Sequence, residues 1–390
     1  MARNSKLGHA VQESAPRSGL MDRLLRARDR LLASEKFQSA AAAFPLSRPI
    51  ARARASALFD LCAGFVYSQI LSACVQLRLF DLLLEGPLTI PEIASRSGLR
   101  PEACDRLATA ATALRLLEKR HGERYGLGAL GAALANNPAL TQMIEHHSVL
   151  YRDLSDPLAL LRNEARNTGL SSYWAYAGSA QPVALAPEEV QAYSILMTRS
   201  QPLVAAEVLD AYPVARHRVL MDVGGGEGAF IAAAAERAPG LHFKLFDLPA
   251  VAQRAIAYLR ERGIDERCQV HEGDFFRETL PGGADLITLV RVALDHEDEK
   301  VLRLLRNARA ALTPGGTLLI AEAMSDPDAG ERMGAAYFGF YLMAMGRGRA
   351  RTRGELESLC KDAGFRDVTH MRGRGVLGTG IIAAKIGLTV

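Results

Sequence analysis

Cysteine is scarce in this 390-residue chain: there are five, at positions 62, 74, 104, 268 and 360. The number is odd, no two form a C-x-x-C pair, and none has a histidine at metal-ligand spacing, so a disulfide framework and a thiolate metal centre are both excluded. Most of these thiols fall inside apolar segments, as reduced core residues of a cytoplasmic protein do. Carboxylate clusters and histidine pairs suited to a metal are also missing, so any catalysis is expected to be metal-independent. No secretory signal opens the sequence. The most apolar stretch, residues 59–84, is interrupted by Asp60, Gln69, Gln76, Arg78 and Asp81 and is not expected to span a membrane. Internal repeats and low-complexity segments are lacking too.

Net charge is small, at +4, and uneven: residues 1–55 hold eleven Lys or Arg against four Asp or Glu. The basic character therefore belongs to a tail. Within it, Leu20, Leu24, Leu25, Leu31 and Leu32 fall close to one helical face with arginines on the rest. Such a helix could lie on an anionic membrane surface, or be a solvated extension that packs on its own protein. Nucleic-acid binding needs basic residues interleaved with aromatics, which the tail lacks.

Length implies more than one core, and three parts are expected: a basic extension over 1–54, a helical part over 55–184 and an α/β part over 185–390. The apolar pattern over 55–84 is too wide for a solvent-facing helix, which points to burial against a second subunit and hence a homodimer. A short helix, a turn at Ser97–Pro101, a helix over 102–115 and a hairpin turning at His121-Gly122 follow in the order of a winged helix. Within the helix before the hairpin, residues 104–114 are acidic or apolar apart from Arg106, so it is read as a packing helix with no nucleic-acid partner.

The third part alternates strands and helices in the manner of a doubly wound sheet. Strands are expected at 219–222, 243–246, 269–272, 285–292 and 317–321, with two more near 367–370 and 380–385. The first runs into Asp222-Val223-Gly224-Gly225-Gly226-Glu227-Gly228, and Asp247 stands at the tip of the next. Glycines at 224, 226 and 228 let the backbone turn tightly and approach a ligand, while Asp247 can grip two ribose hydroxyls. A pyrophosphate would favour G-x-G-x-x-G. Here D-x-G-x-G-x-G puts Asp222 where it would meet an ammonium. After the third strand, Asp274 could accept an adenine amino group and Phe275 could stack on the base.

This pattern resembles motif I of the class I methyltransferases and implies S-adenosylmethionine as cofactor, S-adenosylhomocysteine as its product, and a seven-stranded sheet. Leu248 and Arg291 join the expected cofactor site. The helical part followed by this domain resembles the O-methyltransferase family that includes the plant phenolic enzymes. Segments 44–52, 59–69 and 336–346 are similar to the carotenoid 1-hydroxy O-methyltransferases of phototrophic bacteria, the hydroxyneurosporene or demethylspheroidene type. That resemblance implies methylation of the tertiary alcohol of an acyclic carotenoid.

One departure bears on mechanism. Phenolic relatives read His-Asp-Trp after the fourth strand, with the histidine as base, whereas the matching segment here is Leu294-Asp295-His296. One orienting acid is also replaced, by Ala350, while Glu322 is kept. His296 is then the first candidate proton acceptor, with Glu322 as partner or alternative. The segment 332–345 is apolar on every face and is expected to offer Tyr337, Phe338, Phe340, Tyr341 and Met345 to a hydrophobic acceptor, with Met197 closing the pocket from the other side. Two other readings are methylation of a ring carbon in a bacteriochlorophyllide, and a non-catalytic S-adenosylmethionine-binding regulator. The protein is expected in the cytoplasm, or peripheral at the inner or photosynthetic membrane.

Overall fold

The computed structural model describes residues 19–164, 167–173, 187–326, 333–373 and 379–387. The chain divides into two compact units, 1–70 and 71–390. In the first, helices Leu20–Ala33 and Glu35–Ala43 bury no residue. Leu20, Leu24 and Leu31 are exposed, so the apolar stripe read from the sequence is presented outward. The next helix, Arg48–Gln76, is the one helix among the described residues long and apolar enough to cross a membrane. The polar interruptions therefore do not exclude a span by themselves: Arg78 and Asp81 lie beyond the helix end, and Asp60 is the only charge of the five inside it. Leu58, Phe59, Leu61 and Phe65 along it are exposed.

In the second unit the chain breaks at Arg78, whose φ of 53° is left-handed. Helix Leu79–Leu84 and strand β1 (Leu88–Thr89) follow. Thr89 then caps helix Ile90–Ser97 by exchanging hydrogen bonds with Glu92, which fixes where that helix starts. Helix Pro101–Ala113 leads into the expected hairpin, β2 (Leu117–Arg120) and β3 (Arg124–Leu127), and β1 pairs with β3 to extend it to three strands.

The remaining strands are β4 (Val219–Val223), β5 (His242–Asp247), β6 (Cys268–Glu272), β7 (Ala284–Val290), β8 (Leu312–Glu322), β9 (Val368–Arg372) and β10 (Gly380–Lys385). They form one seven-stranded sheet in the order β6-β5-β4-β7-β8-β10-β9, parallel except for β10, which runs antiparallel to both neighbours. Successive residues face opposite sides of a strand, and here both sides are buried. Leu220, Leu245 and Leu286 pack into one apolar cluster while their neighbours Met221, Phe246 and Ile287 pack into another. A parallel sheet covered on both faces requires such unbroken apolar strands.

Three differences from the expected boundaries bear on the site. Strand β7 stops at Val290, because Arg291 has a φ of 61° and turns the chain out of the sheet. The helix that carries Met197, which the sequence pattern alone bounds at 189–198, runs as Pro187–Ala211, through Pro202. The segment over 332–345 is not one regular helix: a π-helical stretch, Met333–Phe338, precedes the α-helix Gly339–Met345, and Arg332 lies outside the described residues.

Candidate active site

The crevice lies at the carboxyl ends of β4, β5 and β7, where open parallel sheets bind ligands. Beyond β4 the chain turns at glycines that have different tasks. A Cβ on Gly224 would come within 2.8 Å of Val292, so this glycine allows close packing; a Cβ on Gly226, at a φ of 59°, would meet nothing within 4 Å and would point into open space. Gly228 caps the helix Ala229–Arg237 and packs on Leu259. The Gly226 N–H donates to Asp247 Oδ2 at 2.8 Å and the Leu248 N–H donates to Oδ1 at 2.7 Å. These bonds fix the carboxylate at the mouth of the turn, and enclosure pushes it up to about 6. A cavity of about 450 Å³ opens here, walled by Gly224, Gly226, Asp247, Leu248, Asp274 and Phe275 among others.

Asp222 is not in that wall. It is 1 % exposed and lies beneath Gly225, with Oδ1 accepting from Thr288 Oγ1 at 2.6 Å. Burial pushes it up to about 7, and its Oδ2 has no partner. The expected direct contact with an ammonium is therefore replaced by an acid one layer below the turn.

Asp274 shapes the opposite side, its Oδ1 accepting the Phe276 N–H at 2.9 Å. Phe275 and Phe276 meet edge to face, and the His296 ring stands perpendicular to Phe276 at 4.8 Å and at 5.9 Å from Phe275. Burial, with Lys300, Arg351 and Arg347 nearby, pushes His296 down to about 3 and keeps it neutral. Three aromatic rings and a carboxylate edge suit a flat heterocycle bearing an amino group.

A second, smaller cavity of about 110 Å³ is lined largely by apolar groups, including Leu294, Tyr337, Phe338 and Tyr341. It shares Met197, Arg291 and Asp295 with the first, so the two meet at these side chains. Arg291 donates to Ser200 Oγ at 2.9 Å and to Met197 Sδ at 3.0 Å, tying the left-handed turn after β7 to the helix Pro187–Ala211. Two expected members are elsewhere. Phe340 is 38 % exposed, and Met345 is fully buried in an apolar cluster with Leu150 and Leu170. His296 lines the first cavity and is not among the residues lining the second.

Glu322, which the sequence offered as partner or alternative base, is at the site, and three further residues there, Asp295, Arg351 and Glu227, were not singled out from the sequence. Asp295 is 6 % exposed at the junction, held well above the carboxylate range by burial and by Glu322. Glu322, at the end of β8, lines the second cavity, accepts the Ala293 N–H at 2.5 Å, and is pushed up to about 7 by burial. Arg351 is 1 % exposed and donates to the carbonyls of Ala293 and His296 and to Asp298, so it holds the turn that carries Leu294, Asp295 and His296. Glu227 accepts from Thr198 and pairs with Arg254 behind the glycine turn. None of the three has a local sequence signature, because their partners come from distant elements.

Residues 151–366 match the family model of the O-methyltransferase domain. The chain belongs to the O-methyltransferase family. Residues 59–137 match the O-methyltransferase dimerisation domain, which supports a homodimer. Among curated relatives, the demethylspheroidene O-methyltransferase of Cereibacter sphaeroides is 44 % identical over 87 % of this chain and 89 % of its own. That of Rhodobacter capsulatus is 37 % identical over 92 % and 89 %. Human N-acetylserotonin methyltransferase, solved in complex with S-adenosylmethionine, superimposes with a TM-score of 0.72 at 26 % identity, covering 86 % of this chain and 98 % of that one. The protein is thus an S-adenosylmethionine-dependent O-methyltransferase with the class I fold. Its first cavity fits that cofactor: Gly226 leaves room, Asp247 offers paired oxygens, and the orphaned Asp222 oxygen sits under the turn.

Proposed function

We propose that this O-methyltransferase methylates the tertiary 1-hydroxyl of an acyclic carotenoid of the hydroxyneurosporene or demethylspheroidene type, in carotenoid biosynthesis. The observation that carries this reading is the small, mostly apolar second cavity joined to the cofactor cavity at Met197, Arg291 and Asp295. Room for a short branched end beside an apolar wall suits the terminus of a long hydrocarbon, and the names of the two bacterial relatives agree. Methylation of a bacteriochlorophyllide ring would call for a broad planar space, which a cavity of about 110 Å³ does not provide. A non-catalytic regulator would have no need of an apolar cavity beside the cofactor.

S-adenosylmethionine, when bound, supplies an electrophilic methyl group on a sulfonium. In our reading Asp247 holds the ribose hydroxyls, Asp274 and the Phe275, Phe276 and His296 rings hold the adenine, and Met197 and Arg291 define the passage. A tertiary alcohol is too weak an acid to ionise beforehand, so the protein's main contribution is to align the hydroxyl in a dry site; alignment of this kind supplies about 7–11 kcal/mol. No metal enters the scheme, and among the described residues no group of three or more His, Cys, Asp or Glu is arranged to hold one.

Incubating the purified protein with radiolabelled S-adenosylmethionine and either 1-hydroxycarotenoids or bacteriochlorophyllides tests the proposal. Label in the carotenoid methyl ether, unaffected by a chelator, is expected. Transfer to the chlorin ring, or to neither, would overturn it. We further propose that the protein is cytoplasmic and rests peripherally on the membrane in which such a substrate dissolves, through helix Leu20–Ala33. Its exposed leucines and four arginines fit an anionic surface, with each basic group adding about 1 kcal/mol. Sedimentation with vesicles containing phosphatidylglycerol but not with pure phosphatidylcholine is the expected result, and equal or absent binding would refute it.

A further inference from the structure

The helix Pro138–Asp153 brings two consecutive histidines against the segment 333–345. His146 Nε2 lies 2.7 Å from Tyr341 Oη, and His147 Nε2 lies 2.7 Å from Tyr337 Oη. The pairs are not equivalent. His146 is 7 % exposed and lines the second cavity together with Tyr341; His147 is not among the lining residues.

Whatever hydroxyl is methylated in that cavity must lose a proton, and the described lining residues offer few acceptors. Arg291 has no lone pair to give. Asp295 is buried beside Glu322, and burial and that neighbouring carboxylate raise it well above its ordinary value. Glu322 already accepts the Ala293 N–H and sits at the end of β8 behind the turn. Ser200, Thr379 and Tyr337 are the other polar lining groups, and of the two tyrosine–histidine pairs only His146 with Tyr341 lines the cavity with both members; around that pair stand the Tyr173 ring at 4.7 Å, His147 on the same helix, and the Arg291, Asp295 and Glu322 groups across the cavity.

We propose that Tyr341 and His146 form the proton exit for the acceptor hydroxyl, Tyr341 Oη touching the substrate oxygen and His146 positioning and recharging Tyr341. The proposal rests on the O-methylation reading above. As the substrate oxygen forms its new bond to the methyl carbon, the bond from that carbon to sulfur breaks and its electron pair stays on sulfur. The hydroxyl proton passes to Tyr341 Oη while the phenol's own proton passes to His146 Nε2, leaving an imidazolium that returns its proton to water. Burial and the neighbouring His147 push His146 down to about 4, so the imidazole is neutral and able to accept throughout the neutral range. Such a weak base suffices because the oxygen becomes strongly acidic only as its bond to carbon forms.

The relay requires Nε2 to be the acceptor, hence the Nδ1–H tautomer in the free protein. Nitrogen-15 spectroscopy of histidine-labelled protein, with the signal assigned by its loss in His146→Gln, reads this directly and without turnover. In parallel, His146→Gln and Tyr341→Phe should each lower kcat by about 100-fold, as loss of acid–base assistance does, while S-adenosylhomocysteine binding by calorimetry stays unchanged. An Nε2–H tautomer, or either variant turning over like the unmodified protein, overturns the relay. If the unmodified protein transfers no methyl to any 1-hydroxycarotenoid, the substrate reading falls as well, which separates the two failures.

Discussion

Two glycines side by side in the turn after β4 should respond oppositely to the same added methyl group. Gly226 has a φ of 59°, and its Cβ would point into open space at the cofactor cavity. In Gly226→Ala the left-handed backbone costs about 1–2 kcal/mol, and the reduced freedom of the unfolded chain offsets about 0.4–1 kcal/mol of that. The net loss, about 1 kcal/mol, lowers the melting temperature by about 1–2 °C in a unit of this size. Cofactor is another matter, because the methyl group takes up the space through which the turn meets its ligand. At a concentration 100 times its dissociation constant, S-adenosylhomocysteine should stabilise the unmodified protein by about 2.7 kcal/mol, and Gly226→Ala should lose most of that gain. A Cβ on Gly225 turns inward instead, to 2.8 Å from Asp222 Oδ2 and 3.2 Å from Leu245 Cγ. Gly225→Ala should therefore melt lower by the equivalent of about 1–3 kcal/mol of overpacking, yet still respond to cofactor. Thermal melts of the three proteins with and without S-adenosylhomocysteine decide the matter. A full cofactor shift in Gly226→Ala, or a larger loss of it in Gly225→Ala, would refute this account of the turn.

Asp247 is pushed up to about 6 in the free protein, and donation from ribose hydroxyls favours its ionised form, so cofactor binding should release a proton. Affinity by calorimetry should then hold steady above about pH 7 and fall by up to about tenfold per unit below pH 6, and Asp247→Asn should be weaker and flat with pH. The same raised value means that the Asp247 contribution to stability without cofactor is fully present below the ordinary carboxylate range and is lost as pH rises through about 6. His296→Ala should weaken cofactor binding by about 3–10-fold through loss of its ring contacts and leave kcat nearly unchanged; a collapse of kcat at unchanged affinity would restore His296 as the base. Arg351→Met leaves the Ala293 and His296 carbonyls without their buried donor, and should lower stability by about 2–5 kcal/mol in denaturant titration.

The cofactor half of the site was legible because its signals are local. Positive φ at Gly224, Gly226 and Gly228 and the apolar run into them are written in adjacent residues, and Asp247 follows from the length of one strand–helix–strand repeat. The same reading misjudged Asp222, since an acid before glycines looks the same whether it faces the ligand or, as here, Thr288 on the neighbouring strand. In the segment over 332–345 the difficulty was phase. With apolar residues all round, composition cannot say which face is turned outward, and a π-helical stretch up to Phe338 shifts the faces that follow. Tyr337, Phe338 and Tyr341 reach the cavity while Phe340 points away and Met345 falls one turn deeper. Arg291 gave no warning of its left-handed φ, because nothing but glycine or asparagine announces that conformation.

His296 stands in the other cavity from Leu294 for a related reason. Residues Ala293–Asp295 form a single tight turn, held by Glu322 from one side and Arg351 from the other, so successive side chains leave it in different directions. Leu294 enters the second cavity, His296 the first, and Asp295 stands at the junction. Moving a histidine two places along such a turn does not move a base by two residues; it carries the ring to the other compartment. A leucine at 294 then does something useful in its own right. It makes the wall beside the acceptor apolar, as the methyl groups flanking a tertiary alcohol require, and leaves proton removal to the facing helix, where His146 meets Tyr341.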